Sequence, residues 1–133
     1  MKNNKLFWLI MMVTLLIGLA ACGGSSAAPE VEEPTATPVP AGDAVAGETQ
    51  YSQTCVACHG IGGEGIDGLG KPFTTSEFLR ENSDQEMLEF IKVGRPSGDP
   101  LNTTGIDMPA KGGNPALTDE QILDIIAYIR TLQ

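Results

Sequence analysis

Beyond Thr118 apolar residues fall at Ile122, Ile125, Ile126 and Ile129, a three-and-four spacing that lays one stripe along a helix. Thr118 and Gln121 form a capping box at its start, and Leu117 and Ile122 occupy the two positions of a hydrophobic staple. Tyr128, three residues after Ile125, flanks the same face. An earlier segment repeats the logic: Ser83 and Glu86 make a capping box, Met87, Leu88 and Ile91 share an inner face, and Gly94 suits the left-handed backbone that ends a helix. Thr74 with Glu77 predicts a shorter helix over 75–80. Asp43 is a good N-cap for a helix reaching about Cys58, along which Gly47, Tyr51 and Cys55 recur at every fourth position. No stretch alternates long enough to predict a strand. The expectation is an all-α domain over residues 42–133, about four helices joined by Gly/Pro-rich loops.

Ahead of that domain the pattern changes twice. "MKNNK" is a short basic start, an apolar run follows from Leu6 to Leu19, and "LAAC" ends in Cys22. This is the layout of an export signal. The run is short against the roughly 20 residues of a membrane-spanning helix. "LAAC" resembles the lipobox of bacterial lipoproteins, which implies removal of residues 1–21 and acylation of Cys22. Residues 22–41 then read as a disordered tether rich in Pro, Thr and Glu, with no aromatic side chain to bury. In polyproline-like form it reaches on the order of 50 Å. The expected location is therefore the extracytoplasmic side of a membrane, held there by lipid.

Charge narrows the partners. The chain holds 17 acidic and 8 basic residues, a net −9, and two of the basic ones, Lys2 and Lys5, leave with the leader. Such a balance excludes a nucleic-acid partner, whose binding rests on neutralising phosphates. It favours partners with a locally basic docking surface and an encounter rate sensitive to salt.

A domain of roughly 90 residues is marginal even with a good core. Here the segments 60–72 and 95–115 carry almost no packing residues. Disulfides or a metal usually reinforce so small a fold. Apart from Cys22 the cysteines are Cys55 and Cys58, too close in sequence for a bridge to clip much together. Something large and apolar has to come from outside the sequence.

"CVACH", Cys55 to His59, contains those two cysteines and the only histidine. Three readings compete. A redox dithiol uses C-x-x-C with a lowered thiolate pKa but sits where a strand enters a helix, and no strand signal precedes Cys55. A zinc site needs four ligands, and only Cys55, Cys58 and His59 are at hand without distant carboxylates. C-x-x-C-H is also the attachment pattern of c-type haem, the thiols adding to the porphyrin vinyls and the histidine ligating iron. One helical turn separates the cysteines, and His59 follows directly. An export signal agrees with the haem reading, which also supplies the missing apolar bulk.

A haem so held needs a ligand on its other face. With His59 committed, methionine is the next soft neutral donor. Met87 lies within a helix beside Leu88 and is expected to pack. Met108 stands in the loop "GIDMPAKGG", where Pro109 fixes the backbone and glycines permit close approach. Met108 is the expected sixth ligand. Arg95, just past Gly94, is either solvated or a partner for a haem propionate. Lys71, Lys92 and Lys111 are candidates to surround the haem edge, too few for a docking ring.

On "CVACH", the Met-Pro pair at 108–109 and the terminal helix "ILDIIAYIRTLQ", residues 42–133 resemble a class I monohaem cytochrome c. The resemblance implies a first helix carrying the haem motif, crossed by the last helix. A glycine and an aromatic on the first then meet an aromatic on the last, here Gly47, Tyr51 and Tyr128. It also implies a proline whose carbonyl accepts the histidine's second N–H, placed at Pro72, with Phe73 lining the pocket. "LGKPF" departs from the commoner glycine-proline-x-leucine pattern. The whole arrangement, lipobox included, is similar to the small lipoprotein cytochrome of alternative complex III, a quinol-oxidising assembly. With both axial positions filled, the implied function is one-electron transfer rather than catalysis, as a tethered carrier or as a subunit of a membrane oxidoreductase. The alternative is a haem-based gas-binding or sensor lipoprotein, which requires a displaceable Met108.

Overall fold

A computed structural model describes residues 39–133. The expected leader, the acylation site Cys22 and nearly all of the tether lie outside the described residues. Val39, which the sequence reading gives to the tether, already packs against the helical core.

Among the described residues are five α-helices and no strand: α1 Ala44–Thr54, α2 Val56–His59, α3 Glu77–Glu81, α4 Asp84–Val93 and α5 Asp119–Arg130, with a 3-10 turn at Ala110–Gly113. The fold is all-α, as expected. The first expected helix is divided at Cys55, where the Cys58 and His59 amides both reach back to the Cys55 carbonyl, at 3.2 and 3.0 Å. That tightened turn sets the haem motif apart from α1 as a single turn of its own.

Asp43 caps α1 as predicted, its Oδ1 accepting from the Val45 and Ala46 amides at 2.8 and 3.2 Å. α1 crosses α5 with Gly47 at the contact, where a Cβ would overlap the Asp124 carbonyl. The Asp124 side chain also accepts from the Asp43 amide at 2.7 Å, so one residue of α5 fixes two points of α1. Tyr51 fills the crossing, its ring 5.2 Å from Tyr128 and 6.2 Å from Phe73. The Gly47, Tyr51 and Tyr128 expectation holds in this geometry.

α3 differs from its sequence reading. Its cap is Ser76, whose Oγ accepts from the Leu79 amide at 3.1 Å, rather than Thr74. Phe73 and Thr74 are drawn to the Gly63 carbonyl by their amides, and this tie delays the helix by two residues. The capping boxes at Ser83–Glu86 and Thr118–Gln121 both form. Gly94 ends α4 at φ 75°, ψ −164°, an extended conformation open to glycine and not the left-handed helical one expected. The reason is what passes beside it: a Cβ there would overlap the Met108 carbonyl.

Arg130 joins the short elements to α5. It donates to the Leu79 and Asn82 carbonyls at 2.8 and 2.7 Å and to Asp84 at 2.7 Å, spanning the end of α3 and the start of α4. The buried core is Tyr51, Leu79, Met87, Leu88, Ile91, Leu117 and the inner face of α5. Segments 60–72 and 95–115 contribute none of those buried apolar side chains, in line with the shortage read from the sequence.

Candidate haem site

Those two segments instead line a cleft of about 520 Å³, of the size that takes a cofactor. Ile125 and Ile129 of α5 reach it, as do Leu79, Met87 and Phe90 from α3 and α4. Cys55, Cys58 and His59 enter from the first helices, Pro72 and Phe73 from the loop after them, Arg95 and Met108 from the later loop. The structure thus brings Cys55, Cys58, His59, Pro72, Phe73, Arg95 and Met108 to one cavity. Met87 is buried in its wall, a packing role as anticipated.

His59 is oriented by a backbone carbonyl. Its Nδ1 lies 2.8 Å from the Lys71 carbonyl, which can only accept, so Nδ1 carries the proton and Nε2 keeps a free lone pair. Burial lowers its pKa and keeps the ring neutral. Phe73 stacks on it with ring centroids 4.3 Å apart and planes within 19°. The acceptor differs from the sequence reading: it is the carbonyl of Lys71 and not of Pro72. Pro72 lacks an N–H and its own carbonyl lies one residue further along; it lines the cleft instead.

The Cys55 thiol does not suit the nucleophile of a redox dithiol. Burial pushes the Cys55 thiol up to about 11, and the charge of Cys58 would push the same way. A dithiol enzyme needs the opposite shift. Among the described residues no group of three or more His, Cys, Asp or Glu gathers as a metal set.

Met108 is fixed through its backbone. It exchanges two hydrogen bonds with Arg95, Arg95 N to Met108 O and Met108 N to Arg95 O, each 2.8 Å, an isolated antiparallel bridge. The Arg95 side chain is not solvated. It is 19% exposed, and its guanidinium lies 4.9 and 4.8 Å from the centres of the Phe78 and Phe90 rings. Its Nε is buried without a hydrogen-bond partner; Asp99 stands 3.8 Å away, near enough for charge attraction only. An orphaned cationic donor in an apolar cleft, with a neutral imidazole and a thioether, is a donor set that fits a haem and its carboxylates. Lys71 and Lys111 line the cleft, but Lys111 donates to the Leu117 carbonyl at 2.7 Å. Lys92 pairs with Glu89 and Asp119 and stands apart from the site.

Four residues escaped the sequence reading. The Lys71 carbonyl carries no side-chain signal. Phe78 and Phe90 become an arginine clamp only once α3 and α4 are packed together. Asn102 signals a turn by residue type but not the number of contacts it makes.

Fold and cleft together define a small all-α haem-binding electron carrier. The chain belongs to the cytochrome c family, whose profile, described as "Cytochrome c", matches residues 44–133. It accordingly carries a single covalently bound haem c and is not itself an enzyme. It is 33% identical over 87 residues to cytochrome c-555 of Chlorobaculum thiosulfatiphilum, covering 65% of this chain and 93% of that protein. Against cytochrome c-554(548) of Halomonas halodenitrificans it is 38% identical over 97 residues, covering 66% of this chain and 94% of the relative. The cbb3-type cytochrome c oxidase subunit CcoP of Azospirillum brasilense is 31% identical over 88 residues, which cover 65% of this chain but 30% of that longer protein. No solved structure gives a significant match.

Proposed function

We propose that Cys55 and Cys58 form the thioether links to the haem, that His59 and Met108 ligate its iron, and that the domain relays single electrons while tethered to a membrane through acylated Cys22. The bound haem supplies the one-electron Fe(III)/Fe(II) couple. The chain's own residues do the rest. The Lys71 carbonyl holds His59 in the tautomer that presents Nε2. The bridge to Arg95 fixes Met108, and the apolar walls exclude water, which with a methionine ligand favours the reduced state. Arg95 is assigned to a haem propionate, the group that would satisfy its buried Nε.

The observation that carries this reading is that a tautomer-locked histidine and a backbone-pinned methionine line one cleft with both cysteines. Met108→Ala tests it. The variant is expected to retain covalent haem, show a lower reduction potential and bind carbon monoxide when reduced. Unchanged potential and no carbon monoxide binding would remove Met108 from the iron, whereas avid binding by the unaltered protein would favour a gas-binding role.

The two settings for such a relay are a tethered carrier and a fixed subunit. Similarity to small cytochromes c-555 supports the first; similarity to a domain of CcoP supports a place in a membrane oxidoreductase. No described helix is long and apolar enough to cross a membrane. In either setting the attachment proposed is the tether at Cys22, on its resemblance to a lipobox. We favour the subunit of a quinol-oxidising complex, on the resemblance of the lipobox-tether-haem order to alternative complex III. Detergent extraction followed by native-size analysis decides: a species near monomer size sinks the subunit role. Intact mass of the extracted protein reports acylation and haem together.

A further inference from the structure

We propose that Asn102 is a positioning residue for Met108, the internal strut that makes the loop from Arg95 to Met108 stiff enough to present its methionine to the cleft. The inference rests on Met108 being the iron ligand.

Within the protein the loop has few ties of its own. Its ends are pinned by the Arg95–Met108 bridge, while its two large apolar residues, Leu101 and Ile106, line the cleft and add nothing to the buried protein core. Two prolines and two glycines punctuate it. A loop of this kind held only at its ends keeps much of its conformational freedom. Asn102 is half-buried within it and uses both ends of its carboxamide. Nδ2 donates toward the carbonyls of Ile106 at 2.8 Å, Pro96 at 3.2 Å and, at the limit of contact, Arg95 at 3.5 Å. Oδ1 accepts from the amides of Thr104 and Gly105 at 3.1 and 3.0 Å and from the Thr104 hydroxyl at 3.1 Å.

One side chain therefore joins the limb leaving Arg95 to the limb returning to Met108. The Arg95 carbonyl that Asn102 approaches is the same atom that accepts from the Met108 amide. The other tie between the limbs is the Ser97 amide donating to Asp107, which is exposed to solvent. The chemistry is specific to a carboxamide, which has a donor end and an acceptor end. Aspartate has the same shape but would aim a carboxylate oxygen at three carbonyls. Alanine would remove all six contacts, leaving the Arg95 carbonyl its bond from the Met108 amide.

The test uses the haem-loaded protein and its Asn102→Asp, Asn102→Ala and Met108→Ala variants. Asn102→Asp and Asn102→Ala are expected to keep helix content and covalent haem, to lower the reduction potential, and to raise carbon monoxide affinity of the reduced protein by about ten-fold or more. If Met108→Ala moves both readings and the Asn102 variants move neither, the inference is wrong and the ligand assignment stands. If Met108→Ala moves neither, the ligand assignment itself has failed. Amide exchange in the unaltered protein provides a check that needs no variant. The Thr104 and Gly105 amides should be protected together with that of Met108; free exchange at both beside a protected Met108 overturns the proposal.

Discussion

A Cβ at Gly47 would lie against the backbone of Asp124, and a backbone carbonyl cannot turn aside as a side chain can. Gly47→Ala is therefore expected to force α1 and α5 apart and to cost about 1–3 kcal/mol or more, read as a lowered thermal midpoint of the haem-loaded protein. The position was legible in the sequence because glycine, tyrosine and tyrosine fall at crossing positions of two helices. Asp124, the partner that makes it matter, was not: an aspartate on the polar side of a helix looks like any solvated acid. The same asymmetry runs through the site. Cys55, Cys58, His59 and Met108 announce themselves by scarce chemistry at a telling spacing. The acceptor for His59 is the backbone of Lys71, and a carbonyl is common to every residue, so the sequence reading placed it one position late, at Pro72.

Helix α4 shows how much an element's sequence determines and where packing takes over. Its start is local: the Ser83 amide and hydroxyl both donate to Glu86, at 2.7 Å each, and hold that carboxyl below the usual glutamate range. Because the folded value is the lower one, the cap's contribution is complete above the unfolded glutamate pKa and is lost as pH falls through the folded value. Glu86→Gln should thus flatten the acid limb of a plot of thermal midpoint against pH; an unchanged slope would mean the cap carries no such linkage. The end of α4 is tertiary. Gly94 takes a glycine-only conformation where the Met108 loop passes against it, a constraint no capping rule contains. Gly94→Ala is expected to strain the backbone by about 1–3 kcal/mol and push the methionine loop outward. Its signature is a lowered reduction potential with haem still covalently attached, which simple destabilisation would not give. α3 makes the complementary point. Thr74 and Ser76 are both acceptable caps by residue type, and only the Gly63 carbonyl, distant in sequence, decides between them.

For the molecule as a whole, the helices close only a small core of their own. Segments 60–72 and 95–115 add no buried apolar side chain to it, and together with the helices they surround a cleft of about 520 Å³ whose walls include Leu79, Phe90, Ile125 and Ile129. With the attachment proposed at Cys55 and Cys58, a haem in this cleft would lie against that core and be tied to the first helices. A chain of this length has little stability to spare. Without the haem the cleft would leave apolar walls facing water. Replacing Cys55 and Cys58 together by serine, in a cell able to attach haem, is therefore expected to leave little native protein. The purified double variant should lose the cooperative thermal transition of the parent and show reduced helical signal by circular dichroism. A colourless variant that still melted cooperatively near the parent's temperature would mean that the α1–α5 crossing, the Arg130 ties and the two capping boxes suffice to fold the domain, and that the haem is a guest in it instead of its centre.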